Sequence, residues 1–174
     1  LFCVYTYVAS TLIQVTRVSE AAVPLVLAVF GAGMTAGNLF WAWLADRIGT
    51  RSAVIALALS AGSCALFPMA ASSLGALIPV VAAIGFSGGW GTVLQARLMT
   101  VAGDAQALAA AAHHSAFNFA NALGPWLGGL AIAAGWGLPA TGWIGAALSL
   151  AGLVVLLLTL ALHQRQRATP ALAA

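Results

Sequence analysis

The chain has 174 residues, of which 63% are hydrophobic and 5% are charged. Soluble globular domains carry roughly 25% charged residues, so this composition excludes an ordinary soluble domain and indicates a protein embedded in a lipid bilayer. The six basic residues outnumber the three acidic ones, but nucleic-acid binding would need them clustered on a soluble face. We therefore expect the lipid bilayer as a partner and no nucleic acid.

The hydrophobic stretches predict a fold made only of transmembrane helices. Residues 52–96 and 105–164 contain no Asp, Glu, Lys or Arg, and each stretch is long enough for two helices because about 20 residues cross the hydrocarbon core. A membrane barrel would need alternating polar and apolar residues, whereas these runs are apolar on all sides. With glycine, proline and short polar clusters as breaks, the predicted spans are residues 1–16, 22–44, 52–71, 74–97, 106–134 and 141–163, followed by a tail at 164–174.

The first predicted span begins at Leu1 without an initiator methionine or a basic flank. It also lacks the pattern of a cleavable signal peptide. We therefore expect the chain to be a fragment of a longer polytopic protein. Cys3 and Cys64 fall inside predicted spans, which favours two buried apolar residues over a disulfide or redox pair.

A short charged hairpin between the second and third spans predicts the orientation of the chain. It contains Asp46, Arg47, Gly49 and Arg51. If this hairpin is cytoplasmic, alternate crossings place five of the six basic residues on the cytoplasmic side, in agreement with the positive-inside rule. The C-terminal tail is then predicted to be cytoplasmic as well.

Polar side chains are distributed unequally over the six spans. The first, second, fourth and fifth spans contain candidates for a solute-contacting face, whereas the third and sixth are nearly free of strongly polar groups and are predicted to face lipid. In the first span the candidates share one helical arc, and in the fifth they recur along one stripe. The candidate cavity residues are Thr6, Tyr7, Ser10, Thr11, Gln14, Met34, Asn38, Trp90, Gln95, His114, Asn118 and Asn121.

Pairs of small residues predict close helix packing. Gly33 and Gly37, and likewise Gly124 and Gly128, are spaced four residues apart, so each pair lets a neighbouring helix backbone approach closely. Along the chain, two predicted spans with polar side chains are followed by one that is nearly free of them, and this order occurs twice. This pattern is typical of a three-plus-three repeat in one half of a transporter.

Three segments resemble the major facilitator superfamily. Residues 42–51 are similar to its loop signature, in which a glycine, three residues, an acid, a base, any residue, a glycine and two bases follow one another. Ala42 and Thr50 depart from it. FNFANALGPWLGG, residues 117–129, resembles the eleventh helix of the drug-resistance and sugar-efflux branch, and YTYVASTL resembles its seventh helix. The matching loop residues are Leu44, Ala45, Asp46, Arg47, Gly49 and Arg51.

The resemblance implies an all-α membrane protein in which this chain forms helices seven to twelve of a twelve-helix fold. It further implies proton-linked efflux at the inner membrane, resembling the arabinose efflux permeases, with a missing N-terminal six-helix half as partner. The proton gradient would drive transport without a cofactor, metal or enzymatic step. The seventh, eighth, tenth and eleventh helices would line the cavity, and Asp46 would be a gating residue.

Several alternatives remain open. Asp46 and Arg47 are also compatible with a solvated turn that only sets topology, and Asn118 and Asn121 with hydrogen bonds between helices. The same fold could serve a non-transporting membrane subunit or receptor. The GFSG sequence around Ser87 superficially fits an intramembrane serine protease, but the sixth span's only histidine, His163, lies at its cytoplasmic end, far from that serine.

The sequence indicates the solute only by class. No acidic or basic side chain lies at mid-membrane, which favours a small neutral or amphipathic solute, sugar or drug-like. Histidine could titrate near neutral pH, but His113 and His114 are predicted close to the cytoplasmic mouth. We therefore expect the proton-coupling residue in the missing half.

Overall fold

The computed structural model describes residues 1–168, and within this range the chain forms helices and no strand. The predicted tail at residues 164–174 lies largely outside the described residues. Short helical segments flank several of the main helices, with π geometry at Leu12–Thr16 and Ile132–Trp136 and 3-10 geometry at Glu20–Ala22 and Gly103–Ala105. The main helices are α1 (Phe2–Thr11), α2 (Val23–Ile48), α3 (Arg51–Ala70), α4 (Leu74–Ser87), α5 (Trp90–Val101), α6 (Gln106–Ala131) and α7 (Ala140–Ala168).

Within residues 1–168, four segments are long and apolar enough to cross a membrane. These are Glu20–Ile48, Arg51–Ala70, Leu74–Val101 and Ala140–Leu162, while Phe2–Thr16 is apolar but shorter. The 26-residue helix α6 is not among the four, and it is the helix that carries two histidines and two asparagines. The structure thus agrees with a helical membrane protein, and the number of six crossings stays a prediction.

The fourth predicted span, residues 74–97, is divided into two helices. α4 ends at Ser87 and α5 begins at Trp90, with Gly88 and Gly89 forming a turn between them. Glycine has the greatest conformational freedom of any residue and a low helix propensity, so two consecutive glycines favour an interruption at this point.

The core lies where α1, α2, α3 and α4 meet. Its largest fully buried side chains include Phe67 of α3, Leu77 and Ile84 of α4, and Leu12 after α1. Both cysteines are free and buried, as expected from the sequence.

α3 is buried on one face and exposed on the other. Half of its apolar stretch is buried inside the bundle, compared with 17% for α7. Small residues cause this burial, because a Cβ on Gly142 of α7 would lie 2.7 Å from the carbonyl oxygen of Cys64. A hydrogen bond of 3.1 Å between Ser60 and Ser149 also joins the two helices. The opposite face of α3 remains exposed.

Candidate solute cavity

A cavity of about 400 Å³ lies inside the bundle. Its size falls within the range of about 300–1,000 Å³ that is usual for small-molecule sites. α6 and α7 pack closely near their connection, where a Cβ on Gly128 would lie 3.4 Å from Thr141. Farther from this connection the two helices line the cavity, α6 with residues between Phe117 and Gly124 and α7 with residues between Leu148 and Thr159. The other walls come from α1, α2, α3, the α4–α5 turn and α5.

The cavity surface is mainly apolar. Phe2, Leu57, Leu94 and Phe117 are among its lining residues. Ser60 and Ser149 also line it, but their hydroxyl groups already bond to each other. The cavity therefore suits an uncharged or amphipathic molecule better than an ion, because a charge would lose its hydration there without a counter-charge.

Three of the sequence-predicted contact residues meet at this cavity, although they come from different helices. Met34 of α2, Trp90 of α5 and Asn121 of α6 all line it, and so does the packing residue Gly124. Each of the three is partly buried. Asn121 supplies an amide that can both donate and accept hydrogen bonds, so it is the side chain best suited to orient a polar group of a solute.

The polar arc predicted on α1 is divided between two environments. Tyr7 donates a hydrogen bond of 3.0 Å to the carbonyl oxygen of Pro125 and thereby joins α1 to α6. Thr11 is fully buried and donates to the carbonyl oxygen of Tyr7. Thr6 and Gln14 are exposed, and Ser10 is half-buried. None of these five residues lines the cavity.

The remaining predicted contact residues also lie away from the cavity. His114 and Asn118 are exposed, so the predicted stripe on α6 points partly out of the bundle. Asn38 and Gln95 are half-buried without lining the cavity. If these four side chains contact a solute, they therefore do so together with parts of the protein outside the described residues.

The four packing glycines lie at close helix contacts. A Cβ on Gly33 would lie 2.5 Å from the carbonyl oxygen of Ala82 on α4, and one on Gly37 would overlap the backbone of Phe86. On α6, a Cβ on Gly124 would lie 3.3 Å from the backbone nitrogen of Cys3, and one on Gly128 would lie 2.8 Å from its Sγ atom. The glycines thus bring α2 against α4 and α6 against α1.

The charged hairpin forms the turn between α2 and α3. Gly49 has φ of 62°, a left-handed conformation that glycine adopts without the steric cost of a Cβ. Asp46, Arg47 and Arg51 are exposed. The guanidinium of Arg47 lies 4.0 Å from the centre of the Trp43 ring, a cation–π contact that restrains the arginine beside the turn.

Sequence reasoning missed the part played by Trp41. Its side chain is 3% exposed, and its indole nitrogen donates a hydrogen bond of 2.8 Å to the carbonyl oxygen of Phe86. The sequence feature that could have indicated this role is the position of Trp41 four residues after Gly37, which places both residues on the same face of the helix. Ser60 and Ser149 were also missed as a pair, since only the tertiary structure brings them together.

Ser87 does not have the environment of a catalytic nucleophile. It is fully buried, and its hydroxyl donates a hydrogen bond of 2.8 Å to the carbonyl oxygen of Ile84. A nucleophilic serine instead needs a general base within hydrogen-bond reach. This hydrogen bond fits a small polar residue that bonds back to its own helix.

Comparison with known proteins extends these observations. Residues 1–173 match the Major Facilitator Superfamily. The chain is 34% identical over 162 residues to inner membrane transport protein YdhP of Escherichia coli (strain K12), covering 86% of this chain and 40% of that protein. It is 30% identical over 158 residues to the uncharacterized MFS-type transporter YfhI of Bacillus subtilis (strain 168), covering 88% and 39% respectively.

The chain therefore spans less than half the length of these relatives. No solved structure matches it significantly. The match over nearly the whole chain, together with relatives named as transport proteins, points to a transporter and not to an enzyme. The chain belongs to the major facilitator superfamily of membrane transporters.

Proposed function

We propose that this chain is the C-terminal half of a secondary active transporter that exports a small neutral or amphipathic solute by alternating access. Proton exchange drives the export, and an N-terminal six-helix half completes the solute pathway. The observation that carries the solute class is the cavity itself. Met34, Trp90 and Asn121 meet there on a surface that is otherwise mainly apolar.

Each of the three side chains has a distinct part in this proposal. Trp90 offers an aromatic ring on which an apolar ring or a sugar face can stack, and Met34 adapts its shape to different solutes. Asn121 bonds to a hydroxyl or carbonyl group. A strongly charged solute is disfavoured because none of the described residues that line the cavity has a charged side chain.

Solute flux into everted membrane vesicles containing the full-length protein tests this function. The probes are radiolabelled arabinose as a neutral sugar and a fluorescent amphipathic dye, each measured with and without an imposed proton gradient. We expect gradient-dependent accumulation of at least one probe. A protein that inserts normally but moves neither probe would contradict the proposal and favour a receptor or a non-transporting subunit.

A matched pair of phenylalanine variants tests the part played by the cavity. Phe117 lines the cavity, whereas Phe119 is 69% exposed on α6 and does not line it. We expect Phe117→Ala to raise the KM for the transported solute and Phe119→Ala to leave KM unchanged. If another segment of the longer protein fills the cavity, Phe117→Ala will lower thermal stability without changing KM, and the solute site will lie elsewhere.

A further inference from the structure

Two serine hydroxyl groups lie together on the cavity wall. Ser60 is near the middle of α3, and Ser149 is near the middle of the apolar stretch Ala140–Leu162 of α7. The two residues are 1% and 9% exposed, and both line the cavity. Because the sequence predicts that these two helices face lipid, neither serine is among the predicted contact residues.

The two hydroxyl groups differ from most others inside the helices. A serine or threonine within a helix can bond back to the carbonyl group four residues earlier. The side chains that do so are Thr11, Thr35, Ser63, Thr100 and Thr159. Within residues 1–168, Ser60 and Ser149 donate to no carbonyl of their own helices and instead share one hydrogen bond of 3.1 Å. Both side chains are therefore directed across the space between α3 and α7.

The shared bond leaves hydrogen-bonding capacity free. A hydroxyl group has one hydrogen and two lone pairs, so the bond between the serines uses only one of their two hydrogens. The sulfur of Cys64 also lies near the Ser60 hydroxyl, but a thiol is a weak acceptor. The pair can therefore donate one further hydrogen bond, and accept others, without breaking its own. Since both residues line the cavity, this capacity is available to a bound molecule.

Few other polar groups line the described part of the cavity. Asn121 offers its amide and Trp90 its indole N–H, whereas the Thr159 hydroxyl already donates to the carbonyl oxygen of Val155. A molecule with many hydroxyl groups, such as a sugar, would leave several of them without a partner on this wall. A buried polar group without a hydrogen bond costs free energy. The wall is therefore matched to a molecule with one or two neutral polar groups on an apolar body.

We propose that Ser60 and Ser149 are specificity-determining residues of the cavity, and that they anchor a neutral hydroxyl or carbonyl group of an amphipathic solute. The apolar body of the solute then lies against side chains such as Leu57 and Leu94. A site built to hydrogen-bond a hydroxyl group discriminates against an analogue that lacks it. This inference rests on the proposed function and narrows its solute class from sugars and amphipathic molecules to amphipathic molecules.

Binding of two solutes of equal size tests the anchor. Phenethyl alcohol ends in a hydroxyl group where propylbenzene has a methyl group. Each is a radiolabelled probe of the purified full-length protein in lipid nanodiscs, without a proton gradient, and binding to empty nanodiscs is subtracted. In the double variant Ser60→Ala/Ser149→Ala we expect the Kd for phenethyl alcohol to rise roughly threefold, the factor for an average hydrogen bond inside a membrane protein. The Kd for propylbenzene should not rise.

The double variant removes both partners of the hydrogen bond, so no buried hydroxyl is left unpaired and the protein is expected to fold. Ser63→Ala is the matched control, because Ser63 is buried on the same helix, donates to the carbonyl oxygen of Leu59 and does not line the cavity. It should change neither Kd. An unchanged Kd for phenethyl alcohol in the double variant would overturn the proposal, since the pair would then only join α3 to α7. An equal rise for both probes would also overturn it, because packing and not hydrogen bonding would have been lost.

A second variant and a third probe extend the test. If the double variant does not fold, Ser149→Ala alone removes one hydroxyl group, and Ser60 can then bond back to its own helix. The Kd for phenethyl alcohol should again rise while that for propylbenzene does not. Wild-type protein that binds arabinose as tightly as phenethyl alcohol, or that binds neither aromatic probe, would overturn the proposal. A protein that binds phenethyl alcohol through the serine pair but moves no solute would refute only the transport function.

Discussion

Gly37→Ala provides a strong test of the packing between α2 and α4. An added Cβ at Gly37 would lie 2.7 Å from the carbonyl carbon and 2.8 Å from the Cα atom of Phe86. Carbon atoms pack at about 3.5–4.0 Å, so the two backbones must separate by roughly 1 Å. No side-chain rotation can relieve the overlap, because the opposing atoms belong to the backbone.

The expected loss of stability follows from three contributions. Overpacking costs about 1–3 kcal/mol. Separation of α2 from α4 also weakens the hydrogen bond from Trp41 to Phe86, which contributes roughly 0.6 kcal/mol if it resembles other hydrogen bonds in membrane proteins. The higher helix propensity of alanine offsets about 1 kcal/mol. We therefore expect Gly37→Ala to destabilise the protein by about 0.6–2.6 kcal/mol.

Gly62→Ala is the matched control, because it makes the same change inside α3 where no atom lies within 4 Å of the added Cβ. Its stability should be unchanged or raised by up to about 1 kcal/mol. Equilibrium unfolding of the purified full-length protein in detergent, followed by tryptophan fluorescence, measures both variants. If Gly37→Ala is as stable as Gly62→Ala, the close contact of α2 with α4 does not exist in the protein.

Three further predictions concern orientation, gating and coupling. A single cysteine at Thr50 should react with a membrane-impermeant reagent only from the cytoplasm, and one at Ala134, an exposed position after α6, only from outside. The reverse pattern would invert the predicted topology. Asp46→Asn removes an exposed charge and should lower transport sharply while insertion stays normal, whereas wild-type flux would reduce Asp46 to a topology signal. A double variant with His113→Gln and His114→Gln should keep proton-driven accumulation, since we place the coupling residue in the N-terminal half; downhill flux without accumulation would identify a coupling role for these histidines.

The sequence alone was sufficient for the class of the protein, an all-helical membrane protein of a transporter family. Hydropathy and charge act locally, because each 20-residue stretch partitions into the bilayer largely by its own composition. The loop around Asp46 and Gly49 carried the family resemblance, and the match over residues 1–173 agrees with it. The structure adds a turn at Gly88 and Gly89 within the span predicted at residues 74–97, and Leu74–Val101 as a whole is one segment long enough to cross a membrane.

Tertiary structure alone decided which polar side chains reach the cavity. Helical periodicity fixes the angles between residues on one helix, but it does not fix where the neighbouring helices lie. Asn118 and Asn121 share a stripe in the sequence, yet Asn121 lines the cavity and Asn118 is exposed. Tyr7 and Thr11 could equally have met a solute, and instead they bond to backbone carbonyl groups.

The burial of α3 and the contact of Trp41 with Phe86 both depend on partners that lie on another helix. Small residues such as Ser60 carry little information in isolation, because their effect depends on a partner on another helix, here Ser149, 89 residues away. The Trp41 hydrogen bond likewise needs the carbonyl of Phe86, which α4 leaves free only because it ends nearby. Composition placed this chain in the membrane, whereas close contacts between residues far apart in the sequence determined its cavity.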